Sequence, residues 1–331
     1  MNTVRVSLRD RSYPIYLSRS YVQLPACLRR SGLGPYGWVV SHRMLLRRFG
    51  SQLMAPLRRA GWRLETLEVP ESEQSKSYAM AERLLQQLAR RAATRTPVLL
   101  AFGGGVVGDL TGFVAAVFRR GVPYVQLPTT LLAQVDSAIG GKVGVDLPLA
   151  KNMVGAFYHP RLVFANMRVL SPLPLRQRRS GLSEIIKYAA IADPTLWEFL
   201  ERQMDACLAG DPTALEWAIA RCCRIKARVV SADERETRGM RTVLNFGHTL
   251  GHALEAATGY RRFTHGEAIA IGMAAASELS VAHGLLPRAG HERLVCLLRA
   301  AGLPTQTHGV SLAAVRRAWR LDKKFTTGRM R

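Results

Sequence analysis

Residues 97–109 read Pro-Val-Leu-Leu-Ala-Phe-Gly-Gly-Gly-Val-Val-Gly-Asp and lead into a helical stretch that runs through Phe118. The apolar run is typical of a strand, and the glycines after it contain a G-x-G-x-x-G pattern between strand and helix. Glycine lets the backbone approach a pyrophosphate, whose charge is favoured by the free N–H groups of a helix start. The pattern predicts a nucleotide-binding turn. A tight structural turn is the alternative, because no acidic residue follows about 20 positions later.

Short β-rich runs and amphipathic stretches alternate on both sides of this turn. Tyr78–Arg91 is typical of the helices, with apolar residues at positions 80, 84, 85 and 88. The expected strands are Val4–Leu8, Tyr13–Leu17, Trp38–Val40, Trp62–Val69, Pro97–Phe102, Tyr124–Leu127 and Arg161–Phe164. This alternation predicts an α/β sheet with helices on its faces.

The pattern changes after the Ser-Pro-Leu-Pro stretch at 171–174. The rest of the chain has nearly continuous helical periodicity, interrupted by glycine and proline. We therefore expect an α/β N-terminal domain with a Rossmann-like nucleotide-binding sheet at residues 1–171. An all-α domain that binds metal and substrate should follow at 172–331, with a ligand in the cleft between the two.

Composition limits the classes of function. The 331 residues include 47 Lys plus Arg against 24 Asp plus Glu, a formal net charge of +23. Arginine doublets are spread along the chain, which favours solvated helix faces and an anionic small-molecule substrate over nucleic-acid binding. No apolar run approaches the ~20 residues of a membrane span, so we expect no membrane association.

Location and redox state follow from two further features. The N-terminal residues alternate apolar and polar side chains and lack the apolar core of a signal peptide, which predicts a cytoplasmic protein. The five cysteines are an odd number without C-x-x-C pairs. We expect reduced, mostly buried thiols instead of disulfides or a thiolate zinc site.

A second motif concerns metal chemistry. Residues 245–255 read Asn-Phe-Gly-His-Thr-Leu-Gly-His-Ala-Leu-Glu, which places His248, His252 and Glu255 on one helix face. His265 begins the next helical stretch, so three histidines fall within 18 positions, a density that favours zinc or a similar ion. Glu184 and Lys187 lie in an otherwise apolar helix, which indicates a functional site or a buried ion pair. Spacing alone predicts His248 and His252 as the first two ligands, with Glu184 as a plausible carboxylate.

With these motifs in place, the chain resembles the 3-dehydroquinate synthase family of sugar-phosphate cyclases from the N-terminal strand to about Lys324. The matching segments are Gly103–Asp109, Gln126–Thr130, Asp136–Lys142, Lys151–Phe157, Ser183–Tyr188, Asp233–Glu236, Asn245–His252 and His265–Ala268. Their order and number make the resemblance highly specific. It implies a dehydroquinate synthase-like fold.

The resemblance also implies an activity. A member of this family is a phosphate-eliminating carbon–oxygen lyase of the shikimate pathway, which leads to chorismate and the aromatic amino acids. It converts 3-deoxy-D-arabino-heptulosonate 7-phosphate to 3-dehydroquinate and phosphate by transient NAD-dependent oxidation, phosphate elimination, re-reduction and intramolecular aldol closure. The alternatives are another sugar-phosphate cyclase, or a metal-dependent alcohol dehydrogenase of the glycerol dehydrogenase type.

Cofactor ligands follow by the same resemblance. It implies one zinc or cobalt ion held by Glu184, His248 and His265, with His252 facing substrate, which differs from the prediction made from spacing. It implies that the NAD site consists of Glu73, Gln74, Lys76, Gly105, Val106, Val107, Gly108, Asp109, Thr129, Thr130, Lys142 and Lys151.

The resemblance finally implies a substrate site and an assembly. The implied catalytic residues are Lys142, Lys187, Arg241, Asn245 and His252. The implied substrate contacts are Arg120, Asp136, Lys142, Asn152, Lys187, Lys226, Arg241, Asn245 and His252, with Arg120 supplied by the neighbouring subunit of a homodimer. The family continues beyond the point where this sequence stops, and either Lys323 or Lys324 is expected near the substrate phosphate.

Overall fold

A seven-stranded sheet organises the first half of the chain in the computed structural model, which describes residues 1–92, 95–147, 150–320, 325–326 and 329–330. The strands of the described chain are β1 Asn2–Val6, β2 Tyr13–Ser18, β3 Tyr36–Ser41, β4 Arg63–Glu68, β5 Val98–Gly103, β6 Tyr124–Pro128, β7 Lys142–Leu147, β8 Ala150–Phe157, β9 Val163–Asn166, β10 Phe325–Thr326 and β11 Arg329–Met330. The α-helices are α1 Leu24–Arg30, α2 Arg43–Arg59, α3 Tyr78–Arg91, α4 Gly105–Val117, α5 Leu175–Ala192, α6 Pro194–Ala209, α7 Pro212–Ala232, α8 His248–Ala257, α9 His265–Ala282, α10 Arg288–Ala300 and α11 Leu312–Arg320.

The main sheet has the strand order β1-β2-β9-β6-β5-β3-β4. Only the β1–β2 pair is antiparallel, and the other five pairs are parallel. Parallel neighbours require crossover connections, which helices α2, α3 and α4 supply. All six residues of β5 are buried, as expected for a central strand that is covered on both faces.

Two apolar cores cover the faces of this sheet. Leu99 and Ala101 of β5 pack with the apolar sides of α3 and α4, whereas Leu100 and Phe102 pack with those of α1 and α2. The side chains alternate because successive residues of a strand point to opposite faces. The result is a three-layer arrangement in which the carboxyl end of β5 leads directly into α4.

The chain divides into two compact units. The first contains residues 1–173 together with 215–237, and the second contains 174–214 together with 238–331. Residues 215–237, which include most of α7, therefore group with the sheet although they follow the first two helices of the second half. The functional division at residues 171 and 172 stays a prediction.

Helices build the second unit. α9 is its central element, since it packs against α5, α8 and α10. Leu254 of α8, Ala268 and Ile271 of α9 and Val315 of α11 form one buried apolar cluster. This packing brings α5, α8 and α9 together.

The predicted fold class is confirmed, and all seven predicted strands lie in the main sheet. The sequence analysis missed the antiparallel hairpin of β7 and β8. Val143 and Val145 of β7 are buried against the α3–α4 core, so this hairpin is part of the layer that covers the sheet. Within the described part of the chain, no helix has both the length and the apolar character that crossing a membrane would require.

Backbone contact between α9 and the start of α8 gives a first test. A Cβ atom at Gly272 would overlap the carbonyl oxygen of Gly247, which has a positive φ of 79°. We expect Gly272→Ala to lower the free energy of unfolding by about 1–3 kcal/mol or more, because backbone atoms cannot move aside as a flexible side chain can. Urea denaturation would measure the loss. Gly34→Ala is the control, since no atom lies within 4 Å of its added Cβ, and equal stability of the two variants would contradict the interpretation.

Candidate metal centre and nucleotide-binding turn

Three helices of the second unit place a carboxylate and two imidazoles together. Glu184 of α5, His248 of α8 and His265 of α9 each offer a ligand atom, and these atoms all lie within 4.8 Å of one another. Glu184 is completely buried and His248 is 9% exposed. One carboxylate with two histidines is a donor set that zinc and similar ions take in catalytic sites, where a position stays open for substrate.

Both histidines present the same nitrogen to Glu184. The Nε2 atoms of His248 and His265 each lie 3.6 Å from Glu184 Oε1. The Nδ1 atom of His248 lies 3.1 Å from the Phe246 carbonyl oxygen, and that of His265 lies 3.2 Å from Glu255 Oε2. Since a carbonyl or carboxylate oxygen only accepts, each Nδ1 is the donor and each Nε2 faces the cluster.

Local sequence explains how His265 reaches this position. Thr264 and Glu267 form a capping box at the start of α9, in which the Thr264 side chain accepts from the Glu267 N–H and the Glu267 side chain accepts from the Thr264 N–H. The N–H of Gly266 donates to Ser180 Oγ at 3.0 Å, and a Cβ on Gly266 would overlap the Ser180 backbone. The first turn of α9 therefore lies directly on α5, which carries Glu184.

Electrostatics distinguish the two ligand histidines. Burial and the positive charge of Lys187 lower the pKa of His248 well below its ordinary value, so the ring is neutral. Burial also lowers the pKa of His265, but hydrogen bonds to Glu184 and Glu255 and the charges of both carboxylates outweigh burial and raise it to about 10. Two carboxylates that favour a proton on His265 favour a divalent cation in the same place. The residues present therefore fit a metal ion.

His252 lies beside the group of Glu184, His248 and His265 and is not a member of it. Its ring centroid lies 5.2 Å from that of His248 and 6.0 Å from that of His265. His252 belongs to a second, less buried group with Glu255 and His265, in which ligand atoms also lie within 4.8 Å. The structure thus brings together the three residues that the resemblance implies as ligands, with His252 beside them.

The same unit holds further residues of the implied substrate site. Lys187 is 1% exposed and forms an ion pair with Glu184, three residues earlier on α5. Arg241 is buried in the 3₁₀ helix Met240–Asn245, which ends at Asn245 just before α8. Lys187 and Arg241 therefore add buried positive charge to the imidazoles of this unit.

In the first unit, the glycine turn has the geometry that its sequence predicts. α4 begins at Gly105, two residues after β5, and its first N–H groups have no acceptor within the helix. A Cβ at Gly104 would lie 3.0 Å from Thr130 Cγ2, and one at Gly108 would lie 2.8 Å from Gln126 Oε1. Close packing with β6 and the segment after it accounts for these two glycines, and the turn presents N–H groups that suit a phosphate.

Charged residues implied for the cofactor surround this turn. Lys76 Nζ lies 2.6 Å from Asp109 Oδ2 of α4, and both side chains are largely buried. Burial lowers the pKa of Lys76, but the charge and hydrogen bond of Asp109 outweigh it and raise the pKa above its ordinary value. Lys151 Nζ donates to Glu73 Oε1 at 2.6 Å. Gln74 follows Glu73 in an exposed 3₁₀ turn, and Thr129 is buried with its N–H bonded to the Gly103 carbonyl.

The substrate residues implied for this unit are held in pairs. Lys226 of α7 donates to the carbonyl and the Oδ1 atom of Asp136, each at 2.7 Å. Asp136 lies in a π-helical turn, Ala133–Ser137, whose Gln134 carbonyl also accepts from the Cys223 thiol. Lys142 forms an ion pair with Glu236. The return of α7 to the first unit therefore positions residues that lie far apart in sequence.

Three further expectations concern residues that the structure describes only in part, without a contact to the proposed site, or not at all. Arg120 is exposed and follows Arg119, both with positive φ (63° and 52°), in a tight turn that Gly121 completes. Asn152 lies on β8, but its side chain is outside what the structure describes. Lys323 and Lys324 also lie outside the described residues.

Sequence reasoning overlooked several contacts. The Thr264-x-x-Glu267 pattern was a readable capping-box signal. Glu236 and Glu255 lie within motifs that the sequence analysis identified. Their spacing along the chain could not show that they contact Lys142 and His265. The pairing of Cys223 with the π-helical turn had no signal in the sequence.

Solved structures define the class. The chain superposes with a TM-score of 0.88 on a 2-deoxy-scyllo-inosose synthase complexed with carbaglucose-6-phosphate, NAD⁺ and Co²⁺, at 26% identity over 97% of this chain and 89% of that one. It superposes equally well, with a TM-score of 0.88 and 27% identity over the same shares, on the 2-epi-5-epi-valiolone synthase of Streptomyces hygroscopicus subsp. jinggangensis 5008 with NAD⁺ and Zn²⁺ bound. The fold is that of the sugar-phosphate cyclases.

Sequence comparisons narrow the class to one family. The family model for the 3-dehydroquinate synthase N-terminal part matches residues 66–180, and that for the C-terminal part matches residues 181–325. A 3-dehydroquinate synthase of Pelotomaculum thermopropionicum is 47% identical over 305 residues, which cover 92% of this chain and 82% of the relative. The chain belongs to the 3-dehydroquinate synthase family.

The capping box gives a second test. Thr264→Ala removes the acceptor for the Glu267 N–H at the start of α9, so we expect the free energy of unfolding to fall by about 1 kcal/mol (range about 0.5–2). Thr264→Ser keeps the hydroxyl and is the matched control. Urea denaturation of both variants measures the difference, and a Thr264→Ala protein as stable as the wild type would show that the cap does not hold the helix start.

Proposed function

We propose that this protein is a 3-dehydroquinate synthase. It would convert 3-deoxy-D-arabino-heptulosonate 7-phosphate to 3-dehydroquinate and phosphate within the shikimate pathway. The observation that carries the proposal is the cluster of Glu184, His248 and His265 within 4.8 Å in a chain that matches both halves of this family. Membership supplies the reaction, and the cluster supplies the donor set that the reaction requires.

Two cofactors belong to the proposal. One zinc or cobalt ion would be held by Glu184, His248 and His265, since Co²⁺ and Zn²⁺ occur in the two cyclases of the same fold. NAD would be held by the turn at the start of α4 and its surrounding residues, namely Glu73, Gln74, Lys76, Gly105–Asp109, Thr129, Thr130, Lys142 and Lys151. The close packing of Gly104 and Gly108 and the Lys76–Asp109 pair support this assignment.

The chain's own residues then have distinct tasks. When bound, the ion would supply Lewis-acid polarisation of a substrate oxygen, and NAD would supply reversible hydride transfer. His252 lies beside the ligand cluster without being needed as a ligand, so its imidazole is the group assigned to proton transfer. Asn245, at the end of the 3₁₀ helix before α8, orients substrate hydroxyl groups by hydrogen bonding.

The proposed substrate has two anionic groups, a phosphate and a carboxylate, which cationic side chains would bind. The resemblance assigns this task to Lys142, Lys187, Lys226 and Arg241, which would supply positive charge for its phosphate and carboxylate. Burial strengthens these interactions, because Lys187, Lys226 and Arg241 are each less than 7% exposed. Asp136 and Glu236 hold Lys226 and Lys142 in position, which reduces the rotamer entropy lost on binding.

We also propose a homodimer in the cytoplasm. Met153 and Phe157 on β8 and Leu147 on β7 are more than 40% exposed on one hairpin, an apolar surface that suits a second copy of this chain. Arg120, in its exposed left-handed turn, would reach the substrate site of the neighbouring subunit. Four buried free thiols fit a reducing compartment.

Metal dependence gives the main test. Phosphate release from 3-deoxy-D-arabino-heptulosonate 7-phosphate with added NAD⁺ and Zn²⁺ should stop on chelation and return when Zn²⁺ or Co²⁺ is restored. His265→Ala should lower kcat/KM by more than about 100-fold, because even the loss of a contact behind a metal ligand costs about 10–100-fold. Coupled phosphate detection measures both effects.

The matched control is His283→Ala, an exposed histidine at the carboxyl end of the same helix. It should retain wild-type turnover and the same response to chelator. Phosphate release that survives both chelation and His265→Ala would overturn the metal assignment. Turnover of glucose 6-phosphate or sedoheptulose 7-phosphate in place of the heptulosonate would assign the protein to another cyclase activity.

The amount of NADH left at the end of the reaction distinguishes a 3-dehydroquinate synthase from an alcohol dehydrogenase. With enzyme and NAD⁺ in excess over substrate, we expect one phosphate per substrate and no NADH absorbance at the end of the reaction, because the hydride returns within the same turnover. Stopped-flow absorbance together with product analysis measures this. Accumulation of NADH equal to the substrate added would instead indicate a dehydrogenase of the glycerol dehydrogenase type.

A further inference from the structure

Glu255 has no role in the reaction as described so far, yet its carboxylate faces a proposed metal ligand. Its Oε2 atom lies 3.2 Å from Nδ1 of His265, and its side chain is only 12% exposed. Glu255 lies seven residues after His248 on α8, so the two side chains share one face of that helix. One helix therefore provides both a ligand and a carboxylate that touches the ligand of the next helix.

The direction of the contact identifies what Glu255 does. His265 uses Nδ1 toward Glu255 and Nε2 toward Glu184, which lies 3.6 Å away on the opposite side of the ring. An ionised carboxylate only accepts hydrogen bonds, so the contact keeps the proton on Nδ1 and leaves the Nε2 lone pair free to bind an ion. The ring orientation is fixed at the same time.

His248 provides an independent parallel. Its Nδ1 atom is 3.1 Å from the Phe246 carbonyl oxygen, and its Nε2 atom also faces Glu184 at 3.6 Å. Both imidazoles thus have an acceptor behind them and present the same nitrogen to the same carboxylate. Acceptors behind metal-bound histidines fix the tautomer and make the ligand nitrogen more basic.

A competing interpretation makes Glu255 a ligand itself, in the group with His252 and His265. In that group the His265 nitrogen that contacts the Glu255 carboxylate is Nδ1, whereas Nε2 faces Glu184. The group around Glu184 contains a fully buried carboxylate and a buried His248, whereas all three members of the other group are partly exposed. A buried carboxylate has the greater need for a cation, so the geometry favours the ion at Glu184 and Glu255 behind it.

We propose that Glu255 is a positioning residue that accepts a hydrogen bond from the Nδ1–H group of His265 and thereby holds Nε2 ready for the metal ion. The inference rests on the proposed function, because it assumes that Glu184, His248 and His265 bind the ion. It concerns metal affinity and coordination geometry, which can be measured without turnover.

The experiment compares metal binding in full-length variants. Metal-free protein is titrated with Zn²⁺ against a chromophoric chelator, and with Co²⁺ while its visible absorption spectrum is recorded. We expect Glu255→Leu to bind both ions about 10–100-fold more weakly and to alter the Co²⁺ spectrum. Glu255→Gln should recover much of the affinity and the wild-type spectrum, because its amide oxygen can still accept from Nδ1.

The control is Glu278→Leu on α9. Glu278 also pairs with a histidine, since its Oε2 atom lies 3.1 Å from Nε2 of His291, but it is 48% exposed and outside the proposed ligand set. We expect it to bind both ions as the wild type does. Thermal melting of each metal-free variant confirms that the proteins compared are folded. If Glu255→Leu does not fold, Glu255→Asp replaces it, since a side chain shorter by one methylene withdraws the carboxylate from Nδ1.

Two results would overturn the inference. Wild-type affinity and spectrum in folded Glu255→Leu or Glu255→Asp would show that the contact does not position His265. Losses in Glu255→Gln as large as those in His265→Ala would show that Glu255 is itself a ligand. Neither result touches the proposed function, which would fail if the wild-type protein bound neither ion or released no phosphate from the heptulosonate.

Discussion

A carboxylate without access to water is the constraint on which the second unit depends. Glu184 is completely buried, and an isolated buried charge costs several kcal/mol unless positive partners surround it. Lys187 supplies one partner from the same helix, and His265 supplies another from α9. Helix α9 must therefore pack closely on α5, and α8 on α9, and glycines at these contacts allow this. The same packing that gives buried Glu184 its positive partners also brings together Glu184, His248 and His265, the proposed metal ligands.

The first unit depends on a different constraint, which is the covering of a parallel sheet on both faces. Helices α3 and α4 and the β7–β8 hairpin cover one face of the sheet. The carboxyl end of β5 leads into the glycine turn at 103–105, where α4 begins. The helix start then offers N–H groups instead of side chains. Charge around this turn comes from Lys76 and Asp109, which neutralise each other where both are largely buried.

Local pattern made much of this readable from the sequence. Short β-rich and apolar runs identified all seven sheet strands, and the 3.6-residue period identified α3 with its bounds. Spacing could bring His248 and His252 to one helix face, but it could not say which nitrogen each ring presents. The β7–β8 hairpin did carry a signal, since Val143, Val145 and Leu147 recur at every second residue. Contacts such as Glu255 with His265, in contrast, depend on how α8 packs against α9. Tertiary packing decides such features.

The division of the chain into interleaved units has a consequence for its synthesis. Ribosomes release residues 1–173 first, but the segment 215–237 that completes the same unit emerges only after residues 174–214. At roughly 5–20 residues per second, the delay is on the order of several seconds. Throughout that time Asp136 lacks Lys226, its partner 90 positions later. The sheet and its two apolar cores, which lie wholly within residues 1–173, are therefore complete before the residues that hold Asp136 and Lys142 have been synthesised.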